Sequence, residues 1–186
     1  KKKGRLSDAK REERLQVPHS RGPDNMAEKE LQNLLRNQIA QKEQFSIKNL
    51  GHHSVYSDYT VFSTKTKNTY KVALRSKDNS LNFCSCPDFK TNQLGTCKHI
   101  EAVRLNLGKK RGIRKMFEEI PVFAYSSIYV SYLGERKVKL RIGVDNKKKF
   151  ESWSGTYFDA EYTLLPDAYL KMEKLLHEAF SINSTF

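Results

Sequence analysis

All three cysteines of the chain, and one of its five histidines, fall within sixteen residues. They are arranged as Cys84-Ser85-Cys86, then ten residues, then Cys97-Lys98-His99. Four thiolate and imidazole donors in a tetrahedron are what a zinc ion takes, with sulfur at about 2.3 Å and nitrogen at about 2.0–2.1 Å. Two ligand pairs from separate elements satisfy that geometry. At the end of a strand, positions i and i+2 point to the same side, so Cys84 and Cys86 converge. Pro87 stops the strand and turns the chain out, and Gly95 allows a tight return. That return presents Cys97 and His99 at the start of the next helix. Cys84, Cys86, Cys97 and His99 are therefore the expected ligands of one zinc ion.

Two other chemistries fit part of this set. A cysteine is commonly a small buried apolar group, and Cys97 alone reads that way. A thiol nucleophile beside a histidine is the other, with His99 close to Cys97. Neither accounts for three clustered thiols, a histidine and no cysteine elsewhere. Three cysteines with a histidine form a closed set without an open position for water, so the expected metal is structural and no residue is expected to be catalytic. His52-His53 has no cysteine or acidic cluster beside it and reads as an exposed loop pair. His19 and His177 are isolated.

The elements that carry the ligands are legible from periodicity. From Phe45 apolar residues alternate, which predicts strands over 45–50, 55–62, 69–75 and 81–84. Tyr70, Val72 and Leu74 alternate with Lys71, Ala73 and Arg75, the pattern of a half-buried strand. Lys77-Asp78-Asn79-Ser80 is a turn. A helix over 98–107 places Ile100, Val103 and Leu107 on one face. Ahead of the strands, a helix starts near Met26, with Asn25 as its cap and Glu28 as the return arm of a capping box. Its stripe is Ala27, Leu31, Leu34, Leu35, Gln38 and Ile39. Residues 1–25 read as a basic, extended lead-in with room for a short helix over 6–16.

The second half repeats the plan with different parts. Strands are predicted over 128–133 and 137–144 around Gly134-Glu135. A last helix follows Pro166, with Tyr169, Met172, Leu175, Leu176, Ala179 and Phe180 as its stripe. Lys147-Lys148-Lys149 reads as a charged loop. Trp153 is either an exposed-loop anchor or a core plug. The expected fold is α+β: a zinc-stapled antiparallel sheet with flanking helices, plus a smaller hairpin-and-helix unit. The expected division is a lead-in at 1–25, a helix and zinc unit at 26–110, and a small α+β unit at 111–186.

Charge narrows the partners. Across the 186 residues, 34 Lys and Arg oppose 21 Asp and Glu, a formal net charge of +13. The last segment, 151–186, reverses the balance with 2 basic and 6 acidic residues. A basic body with an acidic end points to a polyanion, although lysine also keeps surfaces solvated. Lys90, Lys98, Arg104, Lys109, Lys110, Arg111, Arg114 and Lys115 surround or follow the cysteine cluster and are the expected phosphate contacts. Tyr56, Tyr59, Phe62 and Tyr70 interleave with Lys65, Lys67, Lys71 and Arg75. Such aromatics can stack bases, but core packing is the commoner role in strands. No apolar run approaches the roughly 20 residues of a membrane span, and no signal-type apolar segment follows the basic start. Three cysteines do not make a disulfide scaffold. A cytoplasmic setting without a membrane partner is expected.

The run CSCPDFKTNQLGTCKH resembles a SWIM-type zinc finger, C-x-C followed by a spacer and C-x-H. Its ligand positions fall on Cys84, Cys86, Cys97 and His99. The flanks LQNLLRNQIAQKEQFSIKNL and VYSDYTVFSTKTKNTYKVALR, and the later YVSYLGERKVKLRIGV and YFDAEYTLLPDAYLKMEKLLHEA, extend the likeness. Over residues 24–180 the chain resembles the N-terminal region of bacterial SWI/SNF-type DEAD/DEAH-box helicases. That resemblance implies an accessory or N-terminal module of an ATP-dependent translocase. The chain itself has no G-x-x-x-x-G-K-S/T and no D-E-x-H, so no ATP hydrolysis is expected from it. The expected partners are a nucleic-acid backbone, with DNA expected, and the motor region of the same protein or a partner subunit. A protein-interaction module is the alternative function, and a cysteine-dependent enzyme the third.

Overall fold

The computed structural model describes residues 27–183. Its architecture is α+β, with a four-stranded antiparallel sheet, a two-stranded hairpin and six α-helices among the described residues. Helix α1, Glu28–Lys42, leads into β1 (Phe45–Asn49), β2 (Asp58–Ser63), β3 (Thr69–Ala73) and the two-residue β4 (Phe83–Cys84). These strands lie side by side in chain order. Helices α2 (Pro87–Thr91), α3 (Lys98–Gly108) and α4 (Ile113–Glu118) follow.

Strand register explains why this sheet carries a site. Ile47 pairs with Val61 and Val61 with Tyr70; Tyr59 pairs with Val72 and Val72 with Cys84. Side chains alternate across a strand, so these rows project from one face. Helix α3 covers that face with Ile100, Val103 and Leu107, all buried. α1 packs on α3 in turn. The resulting core also takes in Val55, Leu74, Phe89 and Ile113. Met116 and Phe117 of α4 pack against it, so this core reaches past residue 110. The Tyr56 hydroxyl fastens α4 by donating to the Phe117 carbonyl at 2.8 Å.

A second core lies under the hairpin of β5 (Ser127–Ser131) and β6 (Lys137–Arg141). Leu140, Phe150, Phe158, Leu164, Leu175 and Ala179 fill it, with helices α5 (Lys147–Glu151) and α6 (Met172–Asn183) beside them. Trp153 is the core plug of the two roles open to it. It is 5% exposed and lies parallel to Phe158, with centroids 6.4 Å apart. Tyr132 joins the two halves by packing on Phe89 and Phe83 of the first core region. The Gly134 amide adds a hydrogen bond to the Gln93 carbonyl at 2.8 Å.

Several local expectations need correction. The first helix begins at Glu28 with Ala27 as its N-cap and no side-chain capping bond, two residues after the expected start near Met26. Asn25 and the predicted 6–16 helix lie outside the described residues. Ile39 is exposed, and Ala40 is the side chain that α1 buries, because α3 approaches that edge. The strands are shorter than the alternation predicted, since residues 51–57 and 74–76 leave the ladder while still burying Val55, Tyr56 and Leu74. Lys147 to Lys149 are in a helix, where Lys147 pairs with Glu151 at 3.4 Å. Pro166 opens a 3-10 turn, Pro166–Lys171, and α6 follows from Met172. Its expected stripe divides: Leu175 and Ala179 are buried, whereas Tyr169, Leu176 and Phe180 face solvent. No helix among the described residues is long and apolar enough to cross a membrane.

Candidate metal centre

Cys84, Cys86, Cys97 and His99 meet where β4 ends and two helices begin. Cys84 is the last residue of β4, held by its pairing with Val72. Cys86 is the N-cap of α2, with Pro87 at the first helical position, where its missing N–H costs nothing. Thus the segment after the first ligand pair forms a short helix. The Cys86 sulfur accepts the Phe89 amide at 3.4 Å, and the Phe89 ring is wholly buried behind it. Cys97 is the N-cap of α3 and its sulfur makes no capping bond. His99 follows in the first turn of α3, where the helix dipole offsets negative charge on the sulfurs.

One donor atom from each of the four residues lies within 4.8 Å of the others. His99 Nδ1 stands 3.8 Å from the Cys84 sulfur and 4.0 Å from that of Cys97. A zinc tetrahedron with the usual bond lengths has edges of about 3.6–3.8 Å. None of the four residues is more than 2% exposed. The other ring nitrogen, Nε2, is buried without a hydrogen-bond partner. The imidazole is held by rings: Tyr70 stacks on it at 4.1 Å and Phe45 meets it edge-on at 5.6 Å. A buried donor set of three sulfurs and one nitrogen suits a structural zinc ion, and these four residues would hold it.

The thiols compete for one negative charge. Cys84 is pushed up to about 12 by its hydrogen bond to Cys86, and burial adds to the rise. Cys86 is lowered by the hydrogen bonds it receives from Cys84 and then Cys97. Burial first, then those same neighbours, raises Cys97. A divalent cation placed among them would hold all three sulfurs as thiolates and leave the site with one net negative charge. The chemistry it supplies is cross-linking of β4, α2 and α3.

Charged and polar side chains brace the surrounding loop. Arg36 of α1 donates from Nε and Nη2 to the two carboxylate oxygens of Asp88, at 3.1 and 2.6 Å. Glu101 accepts from Thr96 Oγ1 at 2.6 Å and from Asn37 Nδ2 at 3.1 Å. Asn92 Nδ2 donates to the Thr96 carbonyl at 2.8 Å. Gly95 sits at φ +67°, where a Cβ would stand 2.6 Å from the Asn79 carbonyl oxygen. The return of the chain toward Cys97 therefore requires glycine.

The expected phosphate contacts divide into two groups. Lys98 is drawn to Glu43 at 2.7 Å. Burial alone would raise the Glu43 pKa, but hydrogen bonds from Lys98 and Lys65 outweigh it and lower the pKa. Arg104 donates to the carbonyls of Lys77 and Ser76 at 2.8 and 3.3 Å and pairs with Glu101. These two cations brace the fold. Lys90, Lys109, Lys110, Arg111, Arg114 and Lys115 are exposed, and none forms an ion pair among the described residues. The last five run from the end of α3 into α4. His53 is a loop organiser: its Nδ1 accepts the amides of Val55 and Tyr56 at 3.1 and 2.9 Å. Tyr56 and Tyr59 belong to the core.

The sequence reads Tyr70 as a half-buried strand aromatic and Phe45 as the start of a strand; it does not foresee the packing of both rings on His99. The available signal was register, since Tyr70 is two residues from Val72 and projects from the same sheet face as the first ligand. No family model matches the chain, and no curated protein or solved structure is significantly similar to it.

Proposed function

We propose that the chain is a zinc-stapled, nucleic-acid-binding accessory module of a SWI/SNF-type ATP-dependent translocase. One observation carries this reading. Lys109, Lys110, Arg111, Arg114 and Lys115 are exposed, form no ion pair among the described residues, and follow the end of a helix whose start is the metal centre. A rigid helix anchored by metal presents those cations at a fixed place, which suits contact with a phosphate backbone. The SWIM-type ligand pattern and its flanks supply the connection to such motors. No Arg with Asn or Gln pattern for base edges lies on this segment, so binding is expected to ignore sequence.

Replacing Lys109, Lys110 and Arg111 together by alanine tests the reading. Affinity should fall similarly for unrelated duplexes. The salt dependence should flatten by about 0.9 log units per decade of salt for each phosphate that is no longer neutralised. Unaltered binding in that variant, or no binding by the parent chain at low salt, would refute it.

A second reading, a protein-docking module for the motor or a partner subunit, is favoured by a different observation. Leu170 in the 3-10 turn and Phe180 in α6 are 95% and 76% exposed. Salt-insensitive association with the motor region, abolished by changing Leu170 and Phe180 to serine, would select it.

A further inference from the structure

An open cleft of about 400 Å³ separates the β3–β4 side of the large sheet from the β5–β6 hairpin. Its size is in the range of about 300–1,000 Å³ occupied by small-ligand sites. Arg75, Phe83, Ser127, Tyr129, Tyr132 and Arg141 line it, and no acidic side chain does. Arg141 is the unusual member. Its Nε is buried without a hydrogen-bond partner, and its guanidinium rests 3.8 Å from the centre of the Phe123 ring. No carboxylate is within ion-pair reach of it among the described residues.

A half-buried cation whose one contact among the described residues is a ring leaves a desolvated charge uncompensated. Burial and the nearby charge of Arg75 both lower the Arg141 pKa, and the Tyr129 phenol sits close enough to oppose them. Arg75 gives one nitrogen to Asp58 at 2.6 Å and another to the Leu74 carbonyl at 3.2 Å. The cleft thus carries excess positive charge between aromatic walls. Phe83 remains 36% exposed there, tilted 55° against Tyr132. A guanidinium fork matches a phosphate, and aromatic side chains stack a base of any identity. The opening is sized for one nucleotide and too small for a duplex.

We propose that this cleft receives one nucleotide unit of a single strand, with its phosphate on Arg141 and Arg75 and its base against Phe83 and the tyrosines. The proposal rests on the reading of the chain as a nucleic-acid-binding module, but it uses a different surface from the 109–115 segment. Free mononucleotides share the same chemistry, and the test separates them from a strand.

The experiment uses the full chain with zinc bound and four probes: a short 5′-phosphorylated oligothymidine, thymidine monophosphate, thymidine and inorganic phosphate. The Nε–H resonance of Arg141 is followed in each titration. The oligothymidine should shift it at concentrations where thymidine and phosphate do not. Arg141→Met should weaken oligothymidine binding by about tenfold, with duplex affinity unchanged, and Arg141→Lys should restore part of the loss. Unchanged zinc content and melting temperature establish that the variants fold.

An Arg141 signal unmoved by saturating oligothymidine overturns the proposal without needing any variant. So does an Arg141→Met chain of unchanged affinity. Monophosphate binding as tight as the oligonucleotide overturns the assignment to a strand. If Arg141→Met has no effect while the Lys109, Lys110 and Arg111 replacement weakens binding, the cleft fails and the proposed function stands. The reverse pattern removes the 109–115 surface and keeps the cleft.

Discussion

The Tyr70 ring lies against the His99 imidazole, with centroids 4.1 Å apart and planes inclined by 26°. A ligating histidine is commonly oriented by a hydrogen bond from its second ring nitrogen. Here Nε2 has no such partner, and stacking takes over the task. Tyr70 can do this because its pairing with Val61 places it on the covered face of the sheet, next to the row that ends in Cys84.

Replacing Tyr70 by alanine should therefore weaken zinc binding by about tenfold, the effect expected when ligand orientation is lost. Tyr70→Phe keeps the ring and should bind zinc like the parent. Competition with a chromophoric chelator measures both. Equal affinities for the alanine variant and the parent would show that the ring does not orient His99.

The thiol cluster predicts a pH dependence. In the metal-free chain Cys84 and Cys97 are raised, which favours their protonated forms, while hydrogen bonds from both lower Cys86. Metal binding must displace the protons, which makes zinc affinity rise with pH and fall as the solution is acidified. Calorimetry in buffers of different ionisation enthalpy should record net proton release on zinc binding at pH 7. A release near zero would mean that the thiols are not the ligands.

Gly95→Ala tests the return of the chain to the second ligand pair. The residue sits at φ +67°, and the added methyl meets the Asn79 carbonyl oxygen in the turn that follows Lys77. The strain and the clash together should cost about 1–3 kcal/mol of stability. Chemical denaturation of the zinc-bound protein measures it, and hydrogen exchange should quicken at residues 92–99 before it does in α1. A fully stable variant would show that the turn at 77–80 yields.

Much of the centre was legible because its chemistry is local in sequence. Two ligand pairs, each spaced by one residue, and the alternation of Tyr70, Val72 and Leu74 specify both the donors and the strand beside them. Long-range partners were not legible. Lys98 reads as a free cation until Glu43, far away in sequence, is found beside it. Arg104 likewise gives itself to the carbonyls of Ser76 and Lys77. Trp153 could not be placed from its polar neighbours Ser152 and Gly155, because Phe150 and Phe158 enclose it only after the chain turns twice. The expected start of α1 near Met26 is displaced for a simpler reason: apolar periodicity does not mark a helix end, and α1 starts at Glu28 with Ala27 as its N-cap.

X-ray absorption at the zinc edge of the purified chain is the most direct measurement of the central claim. The expected result is one zinc per chain with three sulfur scatterers at about 2.3 Å and one nitrogen at about 2.0–2.1 Å. His99→Ala should replace that nitrogen, leaving the sulfur shell intact. A chain without zinc, or a first shell holding a water oxygen in place of the imidazole, would contradict a closed structural centre of Cys84, Cys86, Cys97 and His99.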